Sequence, residues 1–123
     1  MGAIKSLGSI SIDCPDPHSL AAFYARLLGT EVALEGDGYS SVQFGETWIN
    51  MLHVPDFRRP SWPESSTPQQ VHLDFAVDDL DEAEQMAVAA GAELASVQPE
   101  PEHWRVLIDP AGHPFCLTTN SAE

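Results

Sequence analysis

Apolar and polar residues alternate along the stretch 70–77, in which every second residue is apolar. This is the pattern of a strand with one buried face. A helix is predicted directly afterwards over 79–90, with Asp79 as its N-cap and Gly91 as the residue that ends it. A half-buried strand is therefore expected to lead straight into an amphipathic helix.

An earlier stretch has the same order of elements. Residues 8–14 alternate in the same way, and a helix then follows Asp16, a suitable N-cap, and Pro17, which suits a first helical position. Gly29 ends this helix as Gly91 ends the later one. Such a match between two parts of a chain predicts an internal repeat.

Three short strands are predicted after each helix, separated by Gly-containing or Pro-containing turns. Their ranges are 30–35, 39–45 and 47–54 in the first copy and 92–98, 103–109 and 114–119 in the second. Residues 55–69 break the pattern with four prolines and form a linker. The sequence thus predicts one α+β domain over 1–123, made of two βαβββ modules at about 4–54 and 70–119.

The polar faces of these strands identify candidate functional residues. Each module has one helix, which covers one side of a curved mixed sheet, so pairing two modules is expected to enclose a central cavity. The strand phases place polar or aromatic side chains on the cavity side, namely Ser9, Ser11, Trp48, Asn50, His72, Asp74 and Cys116. Either Trp104 or Arg105 is expected to reach the mouth of the cavity.

Charge excludes some classes of partner. The 123 residues contain 5 basic and 19 acidic side chains, for a formal net charge of -14. Nucleic acids and anionic membrane surfaces need clustered Lys and Arg, so neither is an expected partner. The chain has no apolar run long enough to span a membrane and no signal-peptide pattern, and its two cysteines lie in unlike contexts. We therefore expect a cytoplasmic protein.

The repeat and two phrases of sequence resemble the vicinal-oxygen-chelate (VOC) superfamily, which includes glyoxalase I, bleomycin-resistance proteins and extradiol dioxygenases. The phrases are His-Leu-Asp-Phe-Ala-Val-Asp-Asp-Leu at 72–80 and Asp-Pro-Ala-Gly-His-Pro-Phe-Cys-Leu at 109–117. The resemblance is closest to the glyoxalase-like domain proteins and covers nearly the whole chain. It implies a homodimer and a small-molecule ligand.

The resemblance also implies a divalent metal held at four positions, which map to Ser9, Asn50, His72 and Cys116. Only His72 matches the family's pattern of ligands, so the cofactor stays unknown. His72 together with Cys116 would suit Zn²⁺ better than a hard cation.

The leading hypothesis is a glyoxalase-like enzyme of the lyase or isomerase type. His72 would act as general acid or base, and Asp74, two residues away on the same strand face, would orient it. Candidate ligand-binding residues are Trp48, Asn50, Trp104, Arg105 and Cys116. The alternatives are a ligand-sequestering protein of the bleomycin-resistance type and a non-catalytic regulatory partner.

A structural interpretation stays open for each of these residues. His72 would be a hydrogen-bonded part of a polar wall, and Asp74 would cap a loop or pair with an arginine. Arg105 would form a surface ion pair, Cys116 would be a buried thiol, and the tryptophans would be core residues.

Overall fold

The computed structural model describes residues 2–119 and has the α+β fold that the sequence predicts. Within these residues the chain forms two helices and two four-stranded mixed sheets. It divides into two compact units between Phe57 and Arg58, inside the segment predicted as a linker. Neither helix is long and apolar enough to cross a membrane.

The first unit has one helix and four strands. Its elements are β1 (Ser9–Cys14), α1 (Pro17–Leu28), β2 (Val32–Gly36), β3 (Tyr39–Phe44) and β4 (Thr47–His53). The strands lie in the order β1-β4-β3-β2. β1 runs parallel to β4, whereas the other neighbours are antiparallel.

The second unit repeats this arrangement. Its elements are β5 (Leu73–Ala76), α2 (Leu80–Ala90), β6 (Glu93–Leu94), β7 (Trp104–Ile108) and β8 (Pro114–Thr118). The strands lie in the order β5-β8-β7-β6, and β5 is parallel to β8. The predicted pair of βαβββ modules is therefore confirmed.

Two strands of the second unit are shorter than predicted. β5 begins at Leu73 rather than at residue 70, so His72 lies just before the strand. β6 has only two residues instead of the predicted 92–98. The side chain of Gln98 supplies part of the missing pairing. Its Oε1 accepts from the Val106 N–H at 2.9 Å, and its Nε2 donates at 2.8 Å to the Val106 carbonyl, which also accepts from the Ala95 N–H at 3.1 Å.

Both helices begin with the N-caps that the sequence predicts. Asp16 Oδ1 accepts from the Ser19 N–H at 3.3 Å, and Asp79 Oδ1 accepts from the Glu82 N–H at 3.0 Å. Each bond satisfies a backbone donor that the first turn of a helix leaves without an intrahelical partner. The caps fix the point at which each polar strand passes into its helix.

The two helices pack with very different side chains. In α1, Phe23 and Tyr24 are fully buried and their rings meet edge to face with centroids 4.8 Å apart. In α2 the buried residues are mainly alanines, together with Leu80. The sheet beneath α2 supplies the large side chains instead, including Leu107 and Phe115.

Candidate functional site

The strand pair β5–β8 places Asp74 directly beside Cys116. Side chains of directly paired residues point to the same side of a sheet. Asp74 and Cys116 therefore share one face of the second unit, as the alternation in the sequence predicts. The neighbouring Leu73, Phe75, Phe115 and Leu117 belong to the opposite face, which packs towards α2.

His72 completes a hydrogen-bonded group with these two residues. Its Nε2 lies 3.2 Å from Asp74 Oδ1, and its Nδ1 lies 3.3 Å from Oε1 of Gln69. The His72 side chain is 28% exposed and that of Asp74 is 62% exposed. The imidazole is thus held at both nitrogens, while the carboxylate stays open to solvent.

Cys116 is a thiol rather than a thiolate in this setting. Burial of the side chain, followed by the charge of Asp74 and by the hydrogen bond that the thiol donates to that carboxylate, raises the pKa of Cys116 to about 11. Because the thiolate is the nucleophilic form, Cys116 is unreactive near neutral pH. Cys116 lies directly beside Asp74 across the β5–β8 pair.

An apolar surface continues from Cys116 across the same face. Cys116, Val106 and Ala95 form a buried cluster. Partly buried Trp62, Trp104 and Ile108 pack against that cluster. This places Trp104 on the predicted face, and it brings Trp62 in from the proline-rich loop.

Arg105 lies on the other side of the sheet. Its Nη1 contacts Glu84 Oε1 at 2.7 Å and its Nη2 contacts Asp81 Oδ1 at 3.0 Å, both on α2. The hydrogen bond to Glu84 is the main cause that raises the pKa of the guanidinium. Alternation along β7 separates Arg105 from Trp104, so the ion-pair alternative fits this residue and the ligand-binding assignment does not.

The corresponding positions of the first unit hold a neutral network. Asn50 is paired with Ser11 on β1 and with Ser41 on β3. Ser41 Oγ donates to Asn50 Oδ1 at 2.7 Å, and Asn50 Nδ2 donates to Ser11 Oγ at 3.5 Å. Trp48 is paired with the exposed Ser9 at the start of the same strands.

The donor chemistry of these positions does not fit the four-ligand divalent-metal site that the resemblance implies. The carbonyl oxygen of Asn50 already accepts a hydrogen bond from Ser41, and Ser9 offers only a hydroxyl. Neutral hydroxyl and amide groups also hold hard cations weakly.

A smaller donor set lies entirely in the second unit. One ligand atom from each of His72, Asp74 and Cys116 lies within 4.8 Å of the others. Nitrogen, oxygen and sulfur together suit Zn²⁺ rather than Mg²⁺ or Ca²⁺.

Two residues of these networks were not identified from the sequence. Gln69 contacts the His72 ring, and its position three residues before His72 in a proline-containing loop has no periodic pattern. Ser41 is 3% exposed and donates to Asn50, and only the alternation along β3 indicates which way it faces. Both contacts depend on side-chain reach, which spacing does not reveal.

Comparison with known proteins agrees with this architecture. The family model described as "Glyoxalase-like domain" matches residues 9–118. No curated protein matches the sequence.

Solved structures share the fold at low sequence identity. A glyoxalase/bleomycin resistance protein/dioxygenase family enzyme from Burkholderia phytofirmans PsJN is 23% identical, with a TM-score of 0.69 over 92% of this chain and 97% of that one. The fosfomycin resistance protein FosX from Mesorhizobium loti is 15% identical, with a TM-score of 0.70 over 94% and 92%. A lactoylglutathione lyase from Agrobacterium tumefaciens is 19% identical, with a TM-score of 0.65 over 95% of each chain.

At these identities the structures establish the fold, and the family model establishes the relationship. The chain belongs to the glyoxalase-like domain family.

Proposed function

We propose that this protein is a small-molecule enzyme of the glyoxalase-like type, a lyase or isomerase, in which His72 and Asp74 form the proton-transfer pair. The observation that carries the proposal is the contact of 3.2 Å between His72 Nε2 and Asp74 Oδ1 on the polar face of the second unit. An imidazole held by a carboxylate is a common arrangement for general acid–base chemistry near neutral pH.

The hydrogen bonds suggest how the pair would work. In the imidazolium form, both ring N–H groups of His72 donate, one to Gln69 and one to Asp74. The thiol of Cys116 lies beside the same carboxylate, because Cys116 is the partner of Asp74 across the β5–β8 pair. A substrate would approach from the solvent side of Asp74, give up a proton to the pair and receive one back at another atom.

Exchange of substrate hydrogen for solvent deuterium tests this proposal without knowledge of the natural substrate. A panel of small carbonyl compounds is incubated with the protein in D₂O, and loss of the C–H signal next to the carbonyl is followed by ¹H NMR. His72→Gln should lower the exchange rate by about 100-fold, because a positioned acid or base contributes at least that much.

A matched histidine variant supplies the control. His103 is an exposed histidine of the same unit, and His103→Gln should exchange at the wild-type rate. Equal rates for the two variants, or no exchange by the wild type, would remove the proton-transfer proposal.

Treatment with a chelator distinguishes a proton-transfer pair that works without metal from a metal site built by the same residues. If the pair works alone, treatment with a chelator leaves the exchange rate unchanged. A loss of exchange that Zn²⁺ restores would instead show that His72, Asp74 and Cys116 act as metal ligands.

A sequestering protein is the second candidate, favoured by the two half-buried indoles beside Cys116. Such a protein binds its ligand without turnover, so the hydrogen-bonded Asn50 and the protonated Cys116 would not impair it. Tight ligand binding that His72→Gln leaves within a few-fold, with no exchange activity, would favour this candidate.

A further inference from the structure

The face of the second unit that carries His72 and Asp74 has two chemically different halves. Register places Asp74, Cys116 and Val106 side by side on β5, β8 and β7. The indoles of Trp62 and Trp104 pack against the cluster that includes Cys116 and Val106. The row therefore runs from an exposed carboxylate, through a thiol, to an aromatic surface.

The aromatic half favours a flat ring. Trp62 and Trp104 are only partly buried, so each still offers indole surface for contact. Indole faces bind planar rings by stacking, and they also attract cations.

The polar half favours a positive charge. Asp74 is 62% exposed, and the strands β5 to β8 put no arginine or lysine on this face, since Arg105, their one basic residue, is bound to Glu84 and Asp81 on the opposite side. An anionic ligand would meet the Asp74 carboxylate, whose basic partner on this face is the imidazole of His72. The formal net charge of -14 also attracts cations and repels anions at long range.

The spacing of the two halves limits the size of the ligand. Neighbouring strands of a sheet lie about 4.8 Å apart, and residues two apart along a strand lie about 6.6 Å apart. Trp104 is level with Thr118 and Ala76, so its backbone is roughly 12 Å from that of Asp74. Side chains that lean inward shorten this span, and a charged group a few bonds from a ring would bridge it.

We propose that this face binds a planar aromatic compound that carries a protonated nitrogen one or two bonds from its ring. The ring contacts Trp62 and Trp104, and the nitrogen donates to Asp74. This inference rests on the proposed site but does not require the proton transfer. For this ligand class the site has both a stacking surface and a counter-ion.

A matched set of three compounds tests the ligand class by isothermal titration calorimetry. The compounds are 2-naphthylmethylamine, 2-naphthylmethanol and 2-naphthoate, which share a ring and differ in charge. The amine should bind at least about tenfold more tightly than the alcohol, and the carboxylate should bind most weakly. Cyclohexylmethylamine, a cation without a flat ring, should also bind at least about tenfold more weakly than the naphthyl amine.

Variants then assign each half of the ligand. Asp74→Asn, an exposed substitution, should reduce the preference for the amine over the alcohol to about twofold or less. Trp104→Phe should weaken all three naphthyl compounds. Phe44→Leu changes an exposed aromatic residue of the first unit and should leave every affinity unchanged.

The outcomes separate this inference from the proposed reaction. Equal affinities, tightest binding of the carboxylate, or no binding of any compound would overturn the ligand class. Amine-selective binding that depends on Asp74, without deuterium exchange on any substrate, would keep the ligand class and remove the proton-transfer proposal. Exchange that depends on His72, without a preference for the amine, would keep the proton-transfer proposal and remove the ligand class.

Discussion

The two units have the same strand pairing but different chemistry at equivalent positions. Ser11 and Asn50 are partners on β1 and β4, just as Asp74 and Cys116 are partners on β5 and β8. The first pair belongs to a neutral amide–hydroxyl network, whereas the second belongs to a group with an imidazole, a carboxylate and a thiol. One backbone plan thus carries inert polar groups in one copy and titratable groups in the other.

The helices of the two units also differ, in the size of the side chains that they bury. α1 buries the large rings of Phe23 and Tyr24, whereas α2 buries mostly alanines. Burial of large side chains contributes most of the free energy that favours folding. We infer that α1 stabilises the first unit through its own large side chains, whereas the second unit relies on the large side chains of its sheet and carries the titratable groups.

The largest expected effect is a loss of stability, and it tests the packing of α1. Phe23→Ala removes a fully buried ring from α1 and should lower the free energy of unfolding by about 3–5 kcal/mol. Urea denaturation followed by circular dichroism measures the loss. Leu34→Ala changes a side chain that is 51% exposed and should stay within about 0.5 kcal/mol of the wild type. A similar loss for both variants would contradict the assignment.

A smaller effect is expected on the chemistry of the second unit. Asp74→Asn keeps the size of the side chain but removes the carboxylate that orients His72. We expect deuterium exchange to slow on the order of 100-fold, while the free energy of unfolding changes little because the residue is exposed. Full exchange activity in this variant would show that Asp74 has no part in the reaction.

The reverse behaviour is expected for the equivalent network of the first unit. Asn50→Ala leaves the hydroxyl of Ser41, which is 3% exposed, without its acceptor, at a cost of about 1–3 kcal/mol in the free energy of unfolding. Exchange activity should persist below the new unfolding midpoint. Lost exchange in a folded Asn50→Ala protein would contradict the assignment of the chemistry to the second unit.

A pH-dependent change in stability is the smallest expected effect. The pKa of Cys116 is raised in the folded protein from 9.0 to about 11, so the folded state favours the protonated thiol. This contribution is fully present below pH 9 and is lost as the pH rises towards 11. Urea midpoints measured between pH 8 and 11 should fall less steeply in Cys116→Ser than in the wild type, and parallel curves would argue against a buried thiol.

Alternation of residue types predicted most of the fold because each strand has one buried face. The phase of β1 is an example, with Ile12 and Cys14 buried and Ser11 and Asp13 exposed. Prediction failed at β6, where the side chain of Gln98 takes a backbone partner's place, since contacts of this kind leave no periodic signal.

The candidate site was only partly predictable for the same reason. His72, Asp74 and Cys116 follow from strand phase, although the pairing of β5 with β8 had to be observed before their contact was known. Arg105 precedes Val106 on a short strand, and either phase of that strand was compatible with the sequence. In the structure Arg105 faces α2, because Glu84 and Asp81 on that helix offer the guanidinium two carboxylates.

The thiol titration of Cys116 tests the central hydrogen-bonded group most directly, and it needs no substrate. Cys14→Ala leaves Cys116 as the remaining cysteine, and its thiolate is then followed by ultraviolet absorbance across the alkaline range. We predict a pKa of about 11, and a lower value once Asp74→Asn removes the neighbouring charge and the acceptor of the thiol hydrogen bond. An ordinary thiol pKa that Asp74→Asn does not change would contradict the account.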